Sequence, residues 1–139
     1  SSGHAKVVID LVRRGGDEVV GLLDDFAAPG TLVLGAEVLG ATAELARIAA
    51  RCGAQGLLVA VGDNHARERL TLRAAELAPA LPCARAVHPA AVLGAGVELG
   101  PGTVVMAGAV VNGPTRVGRG CILNTRSSLD HDGELEDFA

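Results

Sequence analysis

Aromatic side chains are almost absent: the 139 residues include two Phe, no Trp and no Tyr. A core without rings must be filled by Val, Leu, Ile and Ala, and 49% of the residues are apolar, with 24 Ala among them. So much apolar surface excludes a disordered chain, and the length allows one ordinary domain or two small ones. Cysteine is also sparse. Cys52, Cys83 and Cys121 stand far apart with no CxxC spacing, which predicts neither a disulfide framework nor a zinc knuckle and fits a reduced, cytoplasmic protein. Long apolar runs are missing too. The longest uncharged stretch, residues 99–115, is broken by Gly100, Pro101, Gly102, Gly113 and Pro114, so it is not the roughly 20-residue helix that a bilayer demands. No basic segment followed by an apolar one opens the chain as an export leader would. The net charge is −4 and the basic residues are dispersed, which argues against nucleic acid as a partner.

What is present is a repeat. A branched aliphatic recurs every sixth residue at Val87, Leu93, Leu99, Val105, Val111, Val117, Leu123, Leu129 and Leu135. Val, Leu and Ile make up 38 of the 139 residues. Nine successive matches therefore arise by chance roughly once in a thousand such chains, counting every possible start. Four residues after each aliphatic stands a small or β-branched residue: Ala91, Val97, Thr103, Ala109, Thr115, Cys121, Ser127, Gly133 and Ala139. A period of six fits neither a helix nor an alternating strand. It predicts a solenoid of short parallel strands with three hexapeptides per coil, the aliphatic inside and the small residue at a crowded corner. Glycines at 94, 96, 100, 102, 118 and 120 give the corners their freedom. Residues 87–104, 105–122 and 123–139 are then three coils, with positions eighteen apart stacked. The column ending at His131 reads Ala95, Gly113, His131, a ledge of small residues beneath an imidazole.

Residues 1–86 have another rhythm. The pattern predicts helices over 5–14, 42–52 and 65–77, and strands over 18–23 and 57–61. Alternating strands and helices of these lengths predict a parallel α/β sheet of Rossmann-like type. Ser1-Ser2-Gly3-His4 stands directly before the first helix, where such a unit places a strand and its Gly-rich turn, and the solenoid stops in mid-coil at Ala139. The sequence is accordingly expected to be part of a longer protein.

Three features fall at the carboxyl ends of the strands or at helix starts, where open α/β sheets bind ligands. Gly3-His4 presents helix N–H groups to an anion. Asp24-Asp25 and Gly62-Asp63-Asn64 offer acceptors to ribose hydroxyls or a base N–H. Asp and Asn are also ordinary turn and cap residues, and both readings stand at this point. His131 lies between Asp130 and Asp132; a flanking carboxylate fixes a tautomer and supports an imidazolium, as a general base requires, and a solvated surface histidine is the plainer alternative. His88 precedes Pro89, and His65 begins a helix facing water. Four scattered histidines do not make the three-His set of a solenoid zinc enzyme, and no metal site is expected.

The segments Ser2-Gly3-His4-Ala5-Lys6-Val7-Val8, Gly21-Leu22-Leu23-Asp24-Asp25, Val59-Ala60-Val61-Gly62-Asp63-Asn64, Val105-Met106-Ala107-Gly108-Ala109-Val110-Val111-Asn112 and Cys121-Ile122-Leu123-Asn124-Thr125, followed by Asp130-His131-Asp132, occur in this order. Together they resemble the nucleotide-sugar acetyltransferases of the left-handed β-helix superfamily. The branch is that of the bacillosamine-pathway UDP-4-amino-sugar N-acetyltransferases and the sialic acid O-acetyltransferases.

The resemblance implies a Rossmann-like nucleotide-sugar-binding domain over 1–86, a left-handed parallel β-helix over 87–139, and a homotrimer with active sites between adjacent β-helices. It implies that Gly3, His4, Asp24 and Asp25 contact a uridine diphosphate, with Gly62, Asp63 and Asn64 alongside, and that Asn124 lines the sugar pocket. His131 corresponds to the family's general base and Asp132 to its acidic neighbour. The reaction implied is acetyl transfer from acetyl-CoA, a co-substrate, to the amino group of a nucleotide-linked sugar. O-acetylation of a sugar hydroxyl is the alternative within enzymes, and a non-catalytic nucleotide-sugar-binding trimer the alternative outside them. The family often carries Cys where Gly133 stands, and it builds its acetyl-CoA site largely from later coils.

Overall fold

The computed structural model of the chain describes residues 3–139; Ser1 and Ser2, which precede the first helix, lie outside the described residues. Helix α1 (Gly3–Arg14) buries two stripes. Val8 and Leu11, with Val12, pack against the solenoid, and Ile9 packs against Val33 and Ala36 of a small sheet. Leu11 is fully enclosed, which stabilises the packing by about 1.5–3 kcal/mol. Arg13 and Arg14 stand at the negative end of the helix dipole. The helix closes with the Gly15 N–H on the Leu11 carbonyl at 3.0 Å and with Gly16 at φ 93°.

The sheet differs from the predicted all-parallel one. Strand β1 (Leu22–Leu23) pairs in parallel with β3 (Ala36–Gly40), and β2 (Leu32–Val33) pairs antiparallel with β3, giving the order β1-β3-β2. The β2–β3 hairpin turns through Leu34 and Gly35, both at positive φ, as a two-residue turn matched to strand twist requires. The strand predicted over 18–23 contracts to Leu22–Leu23. The one predicted over 57–61 reduces to a single parallel bridge from Leu57 to Cys83. Its last carbonyl, that of Val61, and the next, that of Gly62, accept hydrogen bonds from the Arg67 guanidinium.

The predicted helices are present. A 3-10 turn over Thr42–Glu44 leads into α2 (Leu45–Cys52), which ends at Gly53 with φ 65°. Helix α3 (Asn64–Leu77) is capped by Asp63, whose Oδ1 accepts the Ala66 N–H at 2.7 Å. Leu45 of α2 and Ala74 of α3 share a cluster with Ala78, Leu23 and Leu57.

From Ala86 onward the strands stack as the period of six predicts. The first face holds β4 (Ala86–Val87), β7 (Val104–Val105) and β10 (Ile122–Leu123). The second holds β5 (Val92–Leu93), β8 (Val110–Val111) and β11 (Ser128–Leu129). The third holds β6 (Val97–Leu99), β9 (Thr115–Val117) and β12 (Gly133–Leu135). All pairs are parallel with partners eighteen apart, such as Leu93↔Val111 and Val111↔Leu129. Val105, Val111, Val117 and Leu123 fill the interior, with Val87, Leu99, Leu129 and Leu135 packed against them. Leu93, in the first coil, is 38% exposed and is the one repeat aliphatic outside that core.

Two of the small repeat positions do more than save space. Thr103 is fully buried; its Oγ1 donates to the Gly118 carbonyl at 2.8 Å and accepts the Cys121 N–H at 3.1 Å. Thr115 Oγ1 donates to the Asp130 carbonyl at 3.0 Å. These hydroxyls join one coil to the next, so burying them carries no unsatisfied polar group. The corners fall in the left-handed region at Gly96, Gly102, Gly108 and Gly120, and then at Arg126, Asp132 and Phe138. The outward side chains follow the surroundings. Ala86 and Val104 lie beneath α1, whereas the uncovered third face carries Glu98, Arg116 and Glu134 in register, alternating in charge.

Candidate active site

His131 and Asp132 form the turn between β11 and β12, at the corner where the second face meets the third. The turn is pinned from below. The Asp132 N–H bonds the Pro114 carbonyl at 2.7 Å, Thr115 holds the Asp130 carbonyl, and Asn112 Nδ2 reaches Asp130 Oδ1 at 3.4 Å. Beneath the imidazole the chain is close-packed: a Cβ on Gly113 would collide with the Ala95 carbonyl. The small column read from the sequence is therefore a close approach of backbones as well as an open ledge. His131 Nδ1 lies 2.7 Å from Asp132 Oδ2, and both side chains are 72% exposed. An ionised carboxylate only accepts, so the proton of a neutral ring sits on Nδ1 and the lone pair on Nε2 faces outward. That is the geometry of an oriented base on an open surface.

Asn124 is exposed at the other end of β11, where its Oδ1 accepts the Thr125 N–H at 3.3 Å. It stands at a different corner from His131, and one chain does not gather the two.

The N-terminal candidates form a second group. His4, in the first turn of α1, lies against Gly62: a Cβ at Gly62 would be 3.9 Å from the His4 Cβ and Cγ. His4 Nε2 is shut from solvent with no hydrogen-bond partner among the described residues. Burial, with the Arg67 charge adding to it, pulls the His4 pKa below its usual value, so the ring is neutral. Gly3 is exposed at the helix start. Asp63 caps α3, and Asn64 Oδ1 accepts from Arg67 at 2.8 Å. Asp24 and Asp25 follow β1. Asp24 Oδ1 accepts the N–H groups of Phe26 and Ala27 at 2.8 and 3.0 Å, and the Phe26 bond in particular holds its carboxyl below the usual range. Asp25 Oδ1 accepts the Thr42 N–H at 2.7 Å. Asp24 thus serves its own turn and Asp25 ties that turn to the start of the 3-10 segment at Thr42, so the turn-and-cap reading of their residue types is realised here.

Residues 1–74 match the family model described as the PglD N-terminal domain. The chain belongs to the PglD N-terminal domain family. That stretch holds every N-terminal candidate, whereas Asn124, His131 and Asp132 lie beyond it. Solved structures reach further. PerB from Caulobacter crescentus, in complex with CoA and GDP-perosamine, is 36% identical with a TM-score of 0.89 over 99% of this chain and 63% of its own. A histidine-to-alanine variant of GDP-perosamine N-acetyltransferase from the same organism, also with CoA and GDP-perosamine, gives 36%, 0.90, 99% and 63%. The acetyltransferase domain of PglB from Neisseria gonorrhoeae, in complex with acetyl coenzyme A, gives 35%, 0.87, 99% and 64%. The chain spans less than two thirds of the length of these structures. Comparison with curated protein sequences gives no match.

Within the PglD N-terminal region, sequence reasoning passes over Arg67. It is 2% exposed, and its guanidinium bonds Gly120, Val61, Gly62, Asn64 and Phe138. A signal existed: Arg67 lies seven and eleven positions before Ala74 and Ala78, on the stripe that helical spacing turns inward. Among the described residues no group of three His, Cys, Asp or Glu is placed to hold a metal ion, and no helix is long and apolar enough to cross a membrane.

Proposed function

We propose that the protein containing this chain transfers an acetyl group from acetyl-CoA to the amino group of a nucleotide-linked sugar, with His131 as general base and Asp132 orienting it. The observation that carries the reading is the His131–Asp132 pair, 2.7 Å apart on a pinned and exposed corner. It is joined to the likeness to structures solved with CoA and GDP-perosamine.

Acetyl-CoA supplies an activated thioester. The chain's own part is to hold the nucleotide and manage a proton. In this reading residues 1–86 are a Rossmann-like unit, and Gly3, His4, Asp24, Asp25, Gly62, Asp63 and Asn64 face the nucleoside diphosphate. Residues 87–139 open a left-handed β-helix. The orphaned Nε2 of neutral His4 supports a polar ligand there. As the sugar nitrogen bonds the acetyl carbon and the carbon–sulfur bond breaks, His131 Nε2 takes the amine proton and gives it up to the departing sulfur, which leaves as the CoA thiol. GDP and UDP both fit a site known by its acids and glycines, and the relative bound to GDP-perosamine favours GDP.

The open setting of His131, and the placing of Asn124 at another corner, support a site completed by a second copy in a homotrimer. The test is His131→Ala in the intact protein: acetyl transfer to a GDP- or UDP-linked amino sugar falls by about 10²–10⁴-fold while sugar-nucleotide binding persists. Unchanged turnover overturns the role.

A further inference from the structure

The Arg67 guanidinium has five N–H donors, and the structure uses each side of the fork. Nε donates to the Gly120 carbonyl at 2.6 Å. Nη1 donates to the Val61 and Gly62 carbonyls at 3.2 and 3.0 Å. Nη2 donates to Asn64 Oδ1 at 2.8 Å and the Phe138 carbonyl at 2.7 Å, with the Ala139 carbonyl at 3.4 Å. None of these acceptors is a side-chain carboxylate. A buried cation is thus solvated by backbone and amide oxygens from two separate regions.

Gly120 and Phe138 are eighteen positions apart, successive residues of one corner column, and both lie in the left-handed region. Gly62 and Asn64 flank the cap of α3, and Gly62 lies against His4. Arg67 is therefore a strut between the Gly62–Asn64 loop and two stacked solenoid corners, 53 and 71 residues further along the chain. Lysine could not replace it: one ammonium carries the charge but cannot span three backbone segments and the Asn64 side chain.

We propose that Arg67 is a positioning residue that locks the Gly62–Asn64 loop to the solenoid corners, so that nucleoside diphosphate affinity depends on the whole fork and nucleotide binding is transmitted to Gly120 and Phe138. This rests on the nucleotide-site reading of Gly62, Asp63 and Asn64. The coupling is physical. Through Arg67 the loop, held at Asn64 by a bond of 2.8 Å, cannot shift without straining the bonds of 2.6 and 2.7 Å to the Gly120 and Phe138 corners, and the corners cannot open without releasing the loop.

Two measurements on the intact protein test it. In Arg67→Lys, binding of GDP and UDP is measured by calorimetry beside kinetics for both substrates. The expected result is affinity about tenfold weaker with KM for acetyl-CoA unchanged. In the unaltered protein, saturating GDP or UDP is expected to slow amide exchange at residues 62–66 and also at Gly120 and Phe138, whose N–H groups bond Pro101 and Arg119. This second readout needs no variant to fold. Wild-type affinity in the folded Lys variant, or protection confined to 62–66, overturns the strut. If neither GDP nor UDP binds the unaltered protein, the nucleotide-site reading falls and the strut with it.

Discussion

Asp132 presents Oδ2 to His131 Nδ1 at 2.7 Å from a backbone held at φ 56°, a conformation that L-residues adopt at a cost and glycine does not. The chain thus spends some stability to keep a carboxylate at this corner, and the two contributions can be separated. Asp132→Gly relieves the strain and removes the acid, so Tm is expected to hold or rise while turnover falls by at least about tenfold. Asp132→Asn keeps the tolerance for positive φ and replaces the anion with an amide, and turnover is expected to fall without loss of Tm. Full activity in the Gly variant would mean that His131 needs no orienting partner.

His4 links the first helix to pH. Burial, assisted by the Arg67 charge, depresses its folded pKa, whereas the unfolded chain titrates near 6.5. The unfolded state therefore binds more protons once pH drops towards that value. Stability from this group is complete above about pH 6.5 and declines as pH falls below it. His4→Gln is expected to flatten the fall in Tm between about pH 7 and 5 relative to the parent. Asp24, with its depressed carboxyl pKa, acts at lower pH and leaves the comparison clean. Parallel Tm curves for parent and variant would refute the assignment.

The solenoid was legible because its determinant is strictly local and periodic. Each face needs an aliphatic inside and a small or β-branched residue four positions on, and both signals recur every six positions, whereas the left-handed corners fall on Arg126, Asp132 and Phe138 as well as on glycines. The β2–β3 hairpin was not legible: Leu34-Gly35 carries none of the Asn-Gly chemistry that marks such turns, and Leu34 takes φ 47° because the Arg13 side chain and the pairing of Val33 with Ala36 hold it there. The apolar run over 57–61 has the composition of a strand, yet it pairs only through the bridge from Leu57 to Cys83, and composition does not say whether a neighbouring strand lies alongside. The Asp63 cap was readable from residue type, whereas the buried strut depends on contacts 53 and 71 residues away that no local pattern encodes.

Stacking of coils sets a sharp steric limit at Gly100. A Cβ there would meet the Gly118–Arg119 backbone of the coil above, which has no side-chain freedom with which to yield. Gly100→Ala is expected to cost about 1–3 kcal/mol through overpacking, seen as a Tm lower by several degrees. Gly16→Ala offers the contrast: its Cβ meets nothing, and only the positive φ is penalised, so a smaller loss of about 1 kcal/mol is expected. A loss at Gly100 no larger than that at Gly16 would show that the neighbouring coil yields and that inter-coil contact does not limit position 100.

Asn124 and His131 flank β11 at different corners of the third coil, so a site that uses both must draw them from two chains if each corner faces a neighbour. Subunit complementation tests this. His131→Ala and Asn124→Ala proteins, each nearly inactive alone, are unfolded together and reassembled at equal concentration. Where Asn124 comes from one chain and His131 from the next, random assembly regenerates intact sites at about a quarter of all interfaces, and the mixture recovers about that fraction of wild-type turnover. Recovery must also require reassembly, since simple mixing of folded oligomers leaves every interface as it was. If both residues serve a site within one chain, no combination of the two variants contains an intact site. The reassembled mixture then stays as inactive as its parents.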